Sequence, residues 1–98
     1  DKPLMVDDIL ETVCAHFNVT QTAVSSRSRR HEYVIARQVS MYLAQKYTKM
    51  PASRIGKLVG GRDHSTVIHS CSKVEQRLKV DKAFSAEIAS IENSFKLK

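Results

Sequence analysis

Glycine is scarce in this 98-residue chain, which contains only Gly56, Gly60 and Gly61. Their positions exclude a common type of phosphate-binding loop. A phosphate-binding loop of the G-x-x-x-x-G-K-[ST] kind needs a hydroxyl residue directly after its lysine. Here Gly56-Lys57 is followed by Leu58, so we expect this chain to bind no ATP and to carry no cofactor. No enclosed substrate pocket is indicated either, and we expect no enzyme activity.

Cysteine is also rare, with only Cys14 and Cys71 present. Both fall on apolar faces of predicted helices, which favours small buried hydrophobic residues in a reducing compartment over a disulfide. His64 and His69 lie near Cys71 in sequence, but residues five apart on a helix point in different directions, and Cys71 belongs to the apolar stripe. We therefore expect no metal site.

Long apolar runs, targeting signals and strand-like alternation are all absent. The first two absences favour a soluble, cytoplasmic protein, and the third favours an all-α fold. No repeat or low-complexity tract divides the chain, whose length suits one domain with a single core. We interpret residues 1–98 as that domain, with residues 1–4 as the remnant of a linker.

The positive charge lies mainly in the middle of the chain, although the total is +6. Residues 27–79 contain twelve Lys or Arg and three acids, whereas residues 1–26 carry a net charge of −3 and residues 80–98 are balanced. A one-sided basic field attracts polyanions, most often nucleic acid. A rival interpretation is a basic module that binds acidic phospholipids or an acidic protein partner.

Helical periodicity and capping residues predict about six helices. Pro3 precedes a helix with an apolar face, and Met50-Pro51 ends a long helix that runs from about His31 to Tyr47. The predicted core positions are Val6, Ile9, Leu10, Val13, Cys14 and Phe17 in the first helix, Val34 or Ile35, Val39, Tyr42, Leu43 and the stem of Lys46 in the long helix, and Phe84, Ile88, Ile91 and Phe95 in the last. The predicted N-caps are Thr20, Ser53, Asp63 and Asp81.

A helix-turn-helix is predicted over residues 53–79. A short amphipathic helix over residues 53–59 is followed by the paired glycines, which allow a sharp turn. Asp63 then caps a longer helix, from Asp63 to Leu78. Its apolar stripe is Val67, Cys71, Val74 and Leu78, while Ser65, His69, Ser72 and Gln76 project to the other side.

The run GGRDHSTVIHS, residues 60–70, closely resembles the C-terminal DNA-binding domain of the DnaA family of bacterial chromosomal replication initiators. The resemblance extends to VDDIL near the start, to the basic stretch from Arg27 to Arg30, and to ARQVSMYL in the long helix. It implies an all-α, Trp-repressor-like helix-turn-helix bundle. It also implies an excised module, because the ATPase and oligomerisation regions of a full initiator, where ATP would bind, are not present in this sequence.

The resemblance implies sequence-specific binding, as a monomer, to double-stranded DNA boxes of the TTATNCACA type at replication origins. Asp63, His64, Ser65 and Thr66 match the family's base-reading positions in the major groove, with Ser65 standing where threonine is also common. An arginine of the basic stretch would enter the minor groove. Alignment from the predicted recognition helix places it at Arg29, with Arg30 as the alternative.

Phosphate contacts set the orientation of such a domain and supply most of its affinity. The candidates are Arg37, Gln38, Ser53, Lys57, Arg62 and Lys73. A single surface lysine is more often only solvated, but the concentration of positive charge in this segment favours a phosphate-binding role for the set.

Overall fold

Six α-helices build the protein in a computed structural model that describes residues 3–96. They are α1 (Val6–Phe17), α2 (Gln21–Ser25), α3 (His31–Tyr47), α4 (Ala52–Leu58), α5 (His64–Val80) and α6 (Lys82–Lys96). All regular structure in that range is helical, which confirms the predicted fold class. The predicted linker remnant, residues 1–4, lies partly outside the described range. None of the described helices has the length and apolar character needed to cross a membrane.

Side-chain caps fix the starts of three helices, as predicted. The Thr20 hydroxyl accepts a hydrogen bond from the Ala23 N–H at 3.0 Å, and the Asp63 and Asp81 carboxylates accept from the N–H groups three residues on, at 2.9 and 3.0 Å. Each cap satisfies one of the backbone donors that a helix start leaves free.

The predicted cap at Ser53 is wrong, because α4 begins at Ala52, two residues earlier than a cap at Ser53 requires. Pro51 occupies the N-cap position, and its carbonyl oxygen accepts from the Arg54 and Ile55 N–H groups. Ser53 is therefore the second residue of α4, where its side chain is exposed.

Helix α3 forms the centre of the bundle and packs against α1, α2, α4 and α5. This position explains why its buried surface is broader than one predicted stripe. Val39 and Leu43 are buried as predicted, but Val34, Ile35 and Tyr42 are only partly buried and Lys46 is exposed. The positions that the periodicity did not predict as buried are Ala36, Arg37, Ser40, Met41 and Ala44.

The remaining core follows the predicted faces of α1, α5 and α6, with Phe17, Leu78 and Phe95 at its margin. Cys14 and Cys71 are both buried free thiols. Burial raises the pKa of Cys14, and burial together with the charge of Glu75 raises the pKa of Cys71 to about 11. Both residues therefore behave as small apolar side chains.

The turn between α4 and α5 depends on glycine at two places. Gly60 has φ +81°, and a Cβ there would lie 1.7 Å from Nη1 of Arg62. Gly56 lies inside α4, where a Cβ would lie 2.0 Å from the carbonyl oxygen of Arg62. Its own carbonyl accepts from the Arg62 N–H at 2.8 Å, so the turn closes directly onto α4. This close approach sets the position at which α5 begins.

Candidate nucleic-acid interface

The N-terminal end of α5 is an exposed polar surface with one fixed negative charge. His64, Ser65 and Thr66 are all exposed in its first turn. Hydrogen bonds from the backbone N–H and the hydroxyl of Thr66 lower the pKa of Asp63, so its carboxylate is ionised at neutral pH. The structure thus brings the four predicted major-groove residues together at one helix end.

The outward face of α5 continues this surface. Ser65, His69, Ser72 and Gln76 are exposed, as predicted, and Val67, Cys71 and Val74 are buried. Two features were missed: Ser70 is buried beside the apolar stripe, and Ile68 is 52% exposed among polar neighbours. The sequence contained a signal for the second, because Ile68 lies outside the predicted apolar stripe of Val67, Cys71, Val74 and Leu78.

Serine side chains shape the basic arm, which we define as residues 26–30. The Ser26 hydroxyl donates to the Ala23 carbonyl at 2.6 Å and accepts from the Ser28 N–H at 3.2 Å. The Ser28 hydroxyl in turn accepts from the Arg30 N–H at 3.3 Å. Such local bonds replace helical ones and hold the backbone in a defined turn.

Arg37 lies beneath the basic arm and is only 9% exposed. Its Nε donates to the Val24 carbonyl at 2.8 Å, and its Nη2 donates to the carbonyls of Ser26 and Ser28 at 3.2 and 3.1 Å. Burial lowers the pKa of Arg37. The prediction of a surface phosphate contact is corrected here, because the guanidinium is used to satisfy backbone carbonyls of the arm.

Arg62 makes a second set of bonds to the same segment, from the turn that precedes α5. Its Nη1 donates to the carbonyls of Val59 and Ser25 at 3.0 and 3.3 Å, and its Nη2 donates to the Ser26 carbonyl. Partial burial, and then the charges of Arg37 and Arg27, lower the pKa of Arg62. Both terminal nitrogens donate to backbone carbonyls, while the residue is only partly buried, and its phosphate role stays a prediction.

The two candidate minor-groove arginines differ in their surroundings. Nε of Arg30 lies 3.3 Å from Oε1 of Glu32, and its guanidinium lies 5.4 Å from the ring centroid of Tyr33. Arg29 is exposed and forms no ion pair within residues 3–96. Both side chains are exposed, and Arg29 differs from Arg30 in having no acidic partner, so the choice between them stays a prediction.

The other predicted phosphate contacts lie on three helices. Gln38 of α3 and Lys73 of α5 line one open groove. Ser53 and Lys57 are four residues apart on α4, where both are exposed. Neither Lys57 nor Lys73 pairs with an acidic side chain in the described part of the chain. Residues 3–96 also contain no group of three or more His, Cys, Asp or Glu side chains able to hold a metal ion.

Comparison with known families adds a match in sequence over the same region. The family model described as bacterial dnaA protein helix-turn-helix matches residues 6–74. The chain belongs to this DnaA helix-turn-helix family. The matched region contains the basic arm, α4, the glycine turn and the first part of α5, which are the elements of the candidate interface.

Bacterial relatives agree with this assignment to the DnaA family. The chromosomal replication initiator protein DnaA of Bacteroides thetaiotaomicron is 47% identical over 97 residues, which cover 99% of this chain and 21% of that protein. The DnaA of Bacteroides fragilis is 43% identical over 95 residues, covering 97% of this chain and 20% of that protein. The chain thus spans about a fifth of the length of these relatives and corresponds to their C-terminal domain. It is a DNA-binding helix-turn-helix domain.

Proposed function

We propose that this domain binds double-stranded DNA boxes of the TTATNCACA type and so serves the initiation of bacterial chromosome replication. In this proposal α5 lies in the major groove, Arg29 enters the adjacent minor groove, and one copy of the domain occupies one box. The names of the relatives support the replication role, and the geometry of the arm and of α5 supports the binding mode.

The observation that carries the proposal is the contact of Arg62 with the basic arm. Arg62 directly precedes the cap of α5, and it donates to the carbonyls of Ser25 and Ser26, where the arm begins. The arm and the start of α5 therefore lie side by side and are held in a fixed relation. A helix in one groove and an arm in the next is the arrangement that reads a contiguous site from both grooves.

Each exposed residue at the start of α5 offers a defined chemistry in the major groove. The Asp63 carboxylate can accept a hydrogen bond from a cytosine amino group, while His64 and the hydroxyls of Ser65 and Thr66 can bond to base acceptors. Because Oδ1 of Asp63 accepts from the Thr66 N–H, the cap also holds the carboxylate in one orientation. This pre-orientation favours discrimination between bases over simple attraction to DNA.

Binding as a monomer agrees with the distribution of apolar surface. The large hydrophobic residues that are exposed within residues 3–96 are Met5, Tyr47, Ile68 and Val80. Four such side chains are few beside the roughly 20 to 30 residues that each partner contributes to a standard interface. A TTATNCACA box also lacks two-fold symmetry.

A titration of the chain against a boxed and a scrambled duplex, at two salt concentrations, tests the proposal. We expect the boxed duplex to bind about a thousandfold or more tightly than the scrambled one, and both affinities to fall as salt rises. Equal affinity for the two duplexes would reject sequence-specific binding.

Competition separates the alternative partners. If the basic surface serves mainly to bind acidic phospholipids or an acidic protein, vesicles rich in phosphatidylserine will displace the boxed duplex as well as unlabelled boxed DNA does. The proposal instead expects boxed DNA to displace the vesicles far better than scrambled DNA.

A further inference from the structure

Ile68 is the one large apolar side chain that the first two turns of α5 expose within the described structure. Its side chain is 52% exposed, whereas His64, Ser65 and His69, which surround it on the helix, are polar. Isolated apolar residues are common on protein surfaces. Ile68 differs from such residues by its place, because it lies within the face of α5 that the candidate interface presents to DNA.

Helix geometry directs Ile68 toward the base-reading end. It follows His64 by four residues and Ser65 by three, so these side chains are neighbours on one face. Helical side chains lean toward the N-terminus and cover the turn that precedes them. The branched side chain of isoleucine also has one strongly preferred χ1 in a helix, so its methyl groups occupy a fixed place before DNA arrives.

We propose that Ile68 is a specificity-determining residue that packs against the C5-methyl group of a thymine in the major groove. The proposal rests on the box binding proposed above. The thymine methyl is the apolar group that a base pair presents in the major groove, and it distinguishes thymine from every other base there. A single isoleucine framed by polar residues suits one methyl group, whereas a protein partner would need a much wider apolar patch.

Thymidine and deoxyuridine differ only by this methyl group. Replacing one with the other in the DNA, and Ile68 with Ala in the protein, therefore gives a double-substitution cycle that measures the interaction between the two groups. The affinities of the parent chain and of Ile68→Ala are measured for the boxed duplex, for duplexes in which each thymine in turn is replaced by deoxyuridine, and for the scrambled duplex. Val80→Ala is the matched control, because Val80 is an apolar residue of the same helix that is 84% exposed at its far end. Thermal unfolding verifies that both variants remain folded.

At one or two thymine positions we expect deoxyuridine to weaken binding of the parent by about three- to tenfold, the effect of removing one buried methyl group. Ile68→Ala should weaken binding to the boxed duplex by a similar factor and show no further loss with deoxyuridine at those positions. Val80→Ala should behave as the parent does.

Independent effects of Ile68→Ala and deoxyuridine at every thymine, or no loss for Ile68→Ala on the boxed duplex, would overturn the contact and leave box binding intact. A parent chain that binds boxed and scrambled duplexes equally would overturn the proposed function itself, and the thymine contact with it.

Discussion

Arg37 of α3 and Arg62 of the glycine turn donate hydrogen bonds to the same acceptor, the carbonyl oxygen of Ser26. The charge of Arg37 acts unfavourably on that of Arg62, and carbonyl dipoles of the arm offset this repulsion. Helix α3 and the glycine turn that leads into α5 are therefore joined through one backbone atom. We call this arrangement the Ser26 clamp.

Arg37→Ala should lower the free energy of unfolding by about 2 to 4 kcal/mol, because it leaves the carbonyls of Val24, Ser26 and Ser28 without their charged donor. Arg37→Lys should recover only part of this, since an ammonium group cannot reproduce the planar fork. Urea denaturation measures both. Gln38→Ala, at the next position of α3, is the control, and equal losses for Arg37→Ala and Gln38→Ala would show that the clamp contributes nothing to stability.

Arg29→Ala should weaken box binding by about 1 to 3 kcal/mol, with the greatest loss where the contacted flank is rich in A·T pairs, because narrow minor grooves attract arginine most strongly. Fluorescence anisotropy with A·T-rich and G·C-substituted flanks measures the difference. Arg30→Ala is the matched control, since Arg30 already pairs with Glu32, and it should have the smaller effect. Equal loss for Arg29→Ala on both flanks would exclude minor-groove recognition by this residue.

Lys73→Ala should weaken binding to boxed and scrambled duplexes by about the same factor and reduce the salt slope by roughly one unit, because a phosphate contact carries no sequence information. Titrations across a series of salt concentrations give the slope. Lys82→Ala, a change of the same charge at the start of α6, should leave it unaltered. A slope that Lys73→Ala does not change would remove Lys73 from the interface.

Asp63→Ala should weaken binding to the true box by about ten- to hundredfold and leave scrambled DNA unaffected or slightly better bound, because a lost base contact matters only on the box. Asp63→Asn keeps a cap and an acceptor but adds a donor, so it separates base reading from capping. Parallel titrations and thermal unfolding of both variants measure the two effects. An unchanged ratio of boxed to scrambled affinity in Asp63→Ala would reduce Asp63 to a helix cap.

The capping role of Asp63 also has a pH signature. Its pKa is lower in the folded chain than in the unfolded one, so its contribution to stability is complete above about pH 4 and is lost as pH falls through the lowered value. Asp63→Asn should therefore lose less stability than the parent between neutral pH and about pH 3, as thermal unfolding midpoints will report. An identical acid dependence would contradict this role.

Local chemistry explains which features of the fold could be predicted from the sequence. The caps Thr20, Asp63 and Asp81 interact with residues three positions away, so their role is visible in the chain itself. The predicted cap at Ser53 is wrong because Pro51, two positions earlier in the chain, occupies the N-cap of α4. Helix boundaries shift by this much without changing the fold.

Arg37 and Ile68 show where sequence reasoning reaches its limit. An arginine on a helix usually indicates a solvated or DNA-binding surface, and only the packing of α2 and the arm over α3 makes Arg37 a buried donor. Ile68 is a different case, because it lies outside the predicted apolar stripe of α5 but its exposure at the interface was not predicted. The burial of Arg37 depends on neighbours distant in sequence, which periodicity along one helix cannot reveal.

The Ser26 clamp ties the basic arm to Arg62, the residue that precedes the cap of α5. In the proposed binding mode, the bonds from Arg62 to the start of the arm would set the distance between the minor-groove and major-groove contacts. One extra base pair between the two contacted parts of a box would move them apart by about 3.4 Å and rotate them by about 35°. If the proposed binding mode holds, a box lengthened by one pair should therefore bind no better than one that has lost a whole set of contacts.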